Sequence, residues 1–138
     1  MGQVFISFAV QNSSDIEKAE DHLISAAQVR NVELPNVLMD TGATLLCLPA
    51  SVVARLGLRL DREVPVATAT GTSTLRVFRH ARVQFEDRAA VVEAIELPDG
   101  SAPLLGAIPM EGLGIEPDLQ NRAVRKLPMD LRSSFVRA

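Results

Sequence analysis

A carboxylate fixed at the mouth of a tight turn can take up or deliver a proton, and Asp40-Thr41-Gly42-Ala43-Thr44 supplies one. The apolar run Val37-Leu38-Met39 leads directly into Asp40, and Gly42 permits a sharp reversal behind it. A side chain so placed stands on rigid backbone at the edge of a core, where a general acid or base has to stand. Aspartate at a tight turn also bonds its own backbone, so the residue alone does not separate catalysis from a structural Asx turn. The Asp-Thr-Gly triplet occurs once in 138 residues.

Other reactive side chains are few. The single Cys47 lies in the apolar stretch Leu45-Leu46-Cys47-Leu48 and reads as a small buried hydrophobe rather than a reactive thiol. His22 and His80 are far apart in sequence and read as ordinary surface or core residues. No Cys/His set with metal-ligand spacing is present, so neither a metal nor another cofactor is expected.

The elements around Asp40 follow from hydrophobic spacing. Alternation over 2–10, with Val4, Ile6, Phe8 and Val10 on one face, predicts a strand. Residues 11–15 form a polar cluster expected to turn. The following stretch to Arg30 permits a short helix, with Ser25 as N-cap for 26–30. A strand over 32–39 follows, where Pro35 implies an edge or a bend. After Asp40, the apolar run 45–48 is stopped by Pro49, which suits the first turn of a helix over 50–56 closed by Gly57. Thr-rich arms over 64–78 meet at Thr70-Gly71-Thr72-Ser73 and describe one hairpin; 81–86 and 89–97 describe another about Asp87-Arg88. A loop at Pro98-Asp99-Gly100-Ser101 precedes Leu104-Leu105-Gly106. A short helix over 108–113 comes next, then strands near Leu119-Gln120 and over 123–127. The expected fold is mostly β, with one or two short helices, in one domain spanning 1–138.

Composition narrows the function classes. A net charge of −3 gives little attraction for polyanions, and the absence of Trp and Tyr removes most base-stacking platforms, so no nucleic-acid partner is expected. No apolar run reaches bilayer-spanning length, and the N-terminus lacks the charged-then-apolar order of a signal peptide. Met1-Gly2 opens like a myristoylation signal, but Ile6 stands where Ser or Thr is required. With one Cys, a cytoplasmic chain without a membrane partner is expected.

Taken in order, these segments resemble the retropepsin-like aspartic proteases, the single-domain family that includes the retroviral enzymes. The family pattern is an apolar strand, Asp-Thr/Ser-Gly-Ala/Ser, a flap hairpin with Gly at its tip, then two apolar residues and Gly before a helix. Here these parts are the run into Asp40-Thr41-Gly42-Ala43, the 64–78 hairpin with Gly71, and Leu104-Leu105-Gly106. The resemblance spans roughly 4–127. It implies an all-β closed barrel or sandwich with a flap hairpin, working as a homodimer on polypeptide substrates. Residues 11–31 stand apart as an insertion between the first two strands. Ala107 stands where the retroviral enzymes typically carry Arg or Asn, so a dimer here is held differently or more weakly. The flap is Thr-rich rather than Gly- and Ile-rich.

The resemblance also implies roles. Peptide hydrolysis by this chemistry uses two carboxylates sharing one proton across a water, and like charges that close cannot both ionise. This chain has no second Asp-Thr/Ser-Gly: Asp15 and Asp99 lack the apolar lead-in. The second carboxylate therefore has to come from a second copy, with the dyad axis through the site. Asp40 is then base in one subunit and acid in the other, Thr41 bonds across the interface, and Gly42 allows the turn and offers its carbonyl to substrate. Ala43, Ala69, Thr70, Gly71 and Thr72 are the expected substrate contacts, and Leu104, Leu105 and Gly106 the support beneath the site. Ala43 offers the carboxylate no hydroxyl, which implies a less acidic working range than pepsin-like enzymes have. Chain ends at 4–8 or 131–136 are candidates for an interleaved dimer sheet, or else a first core strand and a frayed tail. Two other readings stay open: a catalytically silent peptide-binding or dimerisation module on the same fold, and an unrelated small barrel with Asp40 in a structural turn.

Overall fold

Alternate side chains of the first strand are almost fully withdrawn from solvent: Val4, Ile6, Phe8 and Val10 are 0–4% exposed. They form one wall of the core in a computed structural model that describes residues 2–128. In chain order the elements are β1 (Phe5–Asn12), α1 (Ser13–Glu20), a 3-10 turn (Ala26–Gln28), β2 (Asn31–Met39), β3 (Leu46–Pro49) and α2 (Ala50–Leu56). Then come β4 (Arg59–Thr68), β5 (Gly71–Phe85), β6 (Arg88–Leu97), β7 (Leu104–Leu105), α3 (Ala107–Leu113), β8 (Ile115–Asp118) and β9 (Ala123–Lys126). The main sheet runs β1-β2-β7-β3-β6-β5-β4, and β1 also pairs with β5. Six strands therefore close into a barrel and β4 stands outside the ring. No helix among the described residues is long and apolar enough to cross a membrane.

Side chains of Leu46, Leu48, Leu56, Leu105 and Leu113 fill the interior with no exposure. At roughly 2 kcal/mol for each fully buried side chain of this type, such residues dominate the favourable side of folding. The short strand β7 is the unusual member. It pairs parallel with β2 (Leu38 with Leu104, Met39 with Leu105) and antiparallel with β3 (Leu46 with Leu105, Cys47 with Leu104).

Several expectations need correction. The cluster at 11–15 is not a turn: Gln11 and Asn12 continue β1, and α1 begins at Ser13. The reason is Asn12, whose side-chain oxygen accepts from the Asp15 N–H at 3.0 Å and so caps the helix. The helix expected over 26–30 is a single 3-10 turn, closed by the Ser25 N–H donating to Gln28 Oε1 at 2.8 Å. With α1, α2 and α3 the chain has more helices than the one or two expected. Pro35 does mark a bend: the β1–β2 register shifts between Ile6 and Phe8, and Asn36 next to it has φ of 53°. The segments expected as separate strands around 78 and 81 are one strand, β5, bulged between Phe78 and Ala81. Leu119-Gln120 lies in the turn between β8 and β9, since β8 starts at Ile115, directly after the αL cap at Gly114. The helix over Ala50–Leu56, with Gly57 at φ 62°, stands as expected.

Segment 4–8 enters the chain's own barrel, while the tail at 131–136 lies outside the described residues.

Candidate active site

Asp40 is the first residue after β2, and its position is set from both sides. Its N–H donates to the Leu105 carbonyl at 2.9 Å, continuing the β2–β7 ladder by one residue. Before it, the Met39 N–H donates to the Val4 carbonyl at 2.9 Å. The turn is closed internally: the Gly42 N–H donates to Asp40 Oδ1 at 2.9 Å, and the Ala43 N–H to the Asp40 carbonyl at 3.1 Å. Gly42 N–H is thus a donor for one oxygen of the carboxylate. Asp40 is half-buried, whereas Thr41 and Gly42 are exposed.

Leu104, Leu105 and Gly106 lie directly beneath this turn. Leu105 is fully buried between β2 and β3. Gly106 passes so close to the returning chain that a Cβ there would sit 2.4 Å from the Leu45 carbonyl oxygen and 2.8 Å from that of Ala43. Only glycine allows that approach. The first N–H groups of α3, which no helical carbonyl can serve, are then used as clamps: Ala107 N–H donates to the Ala43 carbonyl at 2.8 Å and Ile108 N–H to that of Thr44 at 2.9 Å. Pro109 in the same first turn removes an N–H that had no helical partner to lose. Strand β2, the Asp40 turn, β7 and α3 therefore form one interlocked unit.

The other acidic residues set aside from the sequence have structural occupations. Asp99 Oδ1 accepts the Ser51 N–H at 2.8 Å and so caps α2 from the 98–101 loop. Asp15 is 3% exposed and accepts Nε and Nη2 of Arg30 at 2.8 and 3.0 Å, and the Arg30 N–H at 3.0 Å. Those hydrogen bonds from Arg30 hold its carboxyl below the usual carboxylate range, against the opposing effect of burial. Among the described residues the Asp40 carboxylate has neither a salt-bridge partner nor a hydrogen-bonded second carboxylate, and no His/Cys/Asp/Glu group could hold a metal ion.

Cys47 is 8% exposed in β3. Burial pushes its thiol up, and the negative charge of Asp40 adds to the effect. A thiol so placed stays protonated and inert near neutral pH.

Of the predicted substrate residues, Ala43 lies in the Asp40 turn itself, and the other four lie at the tip of the β4–β5 hairpin. Ala69 and Thr70 form the two-residue tip between Thr68 and Gly71, two residues earlier than the turn read from sequence. The tip is exposed, Gly71 has φ of 135°, and the Thr68 hydroxyl donates to the Gly71 carbonyl at 2.8 Å. Among the described residues no hydrogen bond joins Ala69, Thr70, Gly71 or Thr72 to the Asp40 turn. Ala43 is half-buried and uses its carbonyl to hold α3. Below the tip, the hairpin walls a groove of about 410 Å³ with Val66 and Leu75 on one side and Leu97 and Pro98 on the other. Sequence reading missed this groove, although the alternation of Val64, Val66 and Leu75, Val77 along the two arms carried a signal of an apolar face. A second cavity of about 200 Å³ opens beside Thr41, lined by α3, β8 and Leu127.

No curated protein matches the chain. A family model described as Aspartyl protease matches residues 25–108, from just before β2, through the Asp40 turn and the β4–β5 hairpin, to the first turn of α3. The matched segment contains β2, the Asp40 turn, β7 and the two α3 residues whose N–H groups hold that turn, and the chain belongs to this aspartyl protease family, of the retropepsin-like clan.

Proposed function

We propose that the protein is an aspartic endopeptidase that cuts extended polypeptides with a dyad made of Asp40 and Asp40 of the partner subunit. The observation that carries this reading is the placement of one carboxylate. Asp40 stands on a turn locked by Gly106 and α3, while Asp15 and Asp99 are committed elsewhere. A locked, half-buried carboxylate without a companion among the described residues is half of the required chemistry, and a C₂ axis beside it supplies the other half.

Three exposed apolar side chains support an interface at this end. Phe5 is 49% exposed and pairs across β1–β2 with Leu38. Ile108, 46% exposed, is tied to Thr44, and Leu127, 36% exposed, lines the cavity next to Thr41. Their burial in a dimer would surround the Asp40 turn with dry surface.

In the proposed reaction one carboxylate of the pair is ionised and takes a proton from a water while the water's oxygen attacks the scissile carbonyl. The protonated partner gives its proton to the carbonyl oxygen. The resulting gem-diol collapses as the newly protonated carboxyl gives its proton to the leaving nitrogen and a gem-diol hydroxyl returns its proton to the other carboxylate, so that the pair again holds one proton. The Gly42 N–H bond to Oδ1 keeps the carboxylate oriented through both steps. The β4–β5 hairpin acts as the flap: an extended substrate lies in the groove beneath it, and the tip at Ala69, Thr70, Gly71 and Thr72 closes over the peptide.

Cleavage of an unstructured protein across acid to neutral pH, with a statine-type transition-state mimic as inhibitor, tests the reading. Inhibitable cleavage is the expected outcome. A chain that binds the mimic without cutting is the silent module instead.

A further inference from the structure

A cavity of about 220 Å³ lies between α1, the chain after α2, and the roots of β4 and β5. Its charged and titratable lining is one-sided: Lys18, Arg30, Arg59, Arg79 and His80 against the single carboxylate of Asp15. That carboxylate is already taken by Arg30. Lys18 and Arg59 have no hydrogen-bond or ion-pair partner among the described residues, and Arg79 has only Asp61, 3.5 Å from one terminal nitrogen. The protein as a whole carries −3, so this concentration of positive charge runs against its overall balance.

Three further observations point to an anion site. Arg59 and Arg79 are direct cross-strand partners, a like-charge pairing that sheets disfavour. Arg79 Nε is shielded from solvent and donates to no group among the described residues, an orphan donor of the kind that an ion or water ordinarily satisfies. Arg79 and His80 lie in the β5 bulge, and His80 is held at φ 68°, in the left-handed region that residues with a side chain rarely adopt. The bulge sets two successive side chains on the cavity wall.

We propose that this cavity binds a phosphate dianion, either inorganic phosphate or the phosphate group of a small monoester, between Arg79 and Arg59 with Lys18 on the rim. Its volume is several times the ~30 Å³ that one water occupies in the liquid and smaller than the roughly 300–1,000 Å³ of pockets for whole organic ligands, which suits a phosphate group with a few waters. Guanidinium forks match phosphate oxygens in geometry and charge. The site is separate from Asp40. Asn12 on its wall and Asn31 beside it lie at one end of the β1–β2 ladder, and Asp40 follows the other end of the nine-residue strand β2, a path of at most about 30 Å at about 3.3 Å per residue. Because Arg59 opens β4, a bound anion would brace the root of the β4–β5 hairpin. The proposal does not depend on proteolysis.

Isothermal titration of the full chain with inorganic phosphate, and separately with methyl phosphate, tests it near neutral pH at ionic strength held constant with sodium chloride. One saturable site per chain is expected, weakened about tenfold or more by Arg79→Gln and by Arg59→Gln, and unchanged by Arg125→Gln on β9. Tighter binding of phosphate assigns the free ion, and tighter binding of methyl phosphate assigns a monoester. If Arg79→Gln fails to fold, Lys18→Gln on the exposed rim takes its place, with a smaller loss of affinity expected. Heats no different from sodium chloride, equal affinity in all pocket variants, or tighter binding of citrate than of phosphate would each overturn the proposal.

Discussion

Gly106 lies against the Leu45 carbonyl so closely that a single added carbon would stand 2.4 Å from its oxygen. This approach lets β7 pass between β2 and β3 and lets α3 hold the Asp40 turn by its first N–H groups. Gly106→Ala must push the two segments apart. The obstructing atoms are backbone, which cannot swing aside, so a destabilisation at or above the usual 1–3 kcal/mol for overpacking is expected. Urea unfolding measures it. An unchanged midpoint would mean that the turn and β7 are not locked together.

Asn12 joins two helices through one side chain. Its oxygen accepts from the Asp15 N–H at the start of α1, and its Nδ2 donates to the Leu56 carbonyl at 2.8 Å at the end of α2. Asn12→Ala leaves a buried carbonyl and an N-terminal N–H unpaired, and a loss of about 1–3 kcal/mol is expected. Asn12→Asp, which keeps the acceptor and loses the donor, should retain part of that stability. Equal loss in both variants would place all of the effect on the α2 side.

The Asp15–Arg30 pair gives stability a pH dependence of known sign. The folded-state carboxyl is depressed, so its contribution is fully present above the unfolded-state value of about 4 and is lost as pH falls through the lower folded value. Wild-type stability should therefore fall below about pH 4, and Asp15→Asn should be less stable at neutral pH with a flatter curve through that acid range. Denaturant titrations at several pH values compare the two. Parallel curves for variant and wild type would contradict the assignment.

Cys47 reports on the charge of Asp40. Its thiol is raised by burial first and by the Asp40 carboxylate second. Asp40→Asn removes only the second effect, so the thiol should titrate lower in the variant while remaining slow to react. The pH dependence of alkylation by a small reagent measures this. No shift, in a variant that folds, would separate Cys47 from the electrostatics of the turn.

Legibility from sequence followed the range of the forces involved. The strand into Asp40, the turn at Gly42, and α2 with its Gly57 cap depend on neighbours a few residues apart, and spacing reveals them. The support by Leu104, Leu105 and Gly106 was legible by resemblance, and the backbone approach at Leu45 explains why the last of them is glycine. Helix α1 was missed because Asn12-Ser13-Ser14-Asp15 serves equally as a turn and as a cap, and the choice falls to the distant carbonyl of Leu56. The unbroken course of β5 through Arg79-His80 depends on its pairing with β6, and the groove under the hairpin depends on Leu97 and Pro98 arriving from that same neighbour. No local pattern encodes such meetings.

Mixing subunits tests the central claim most directly. Wild-type chain and Asp40→Asn are unfolded together in varied proportion, refolded at constant total concentration, and assayed for cleavage of an unstructured protein. If one site needs Asp40 from both copies, activity follows the square of the wild-type fraction, leaving about a quarter at equal proportions. A linear decline, leaving about half, would show that each chain carries a complete site and would contradict the dyad.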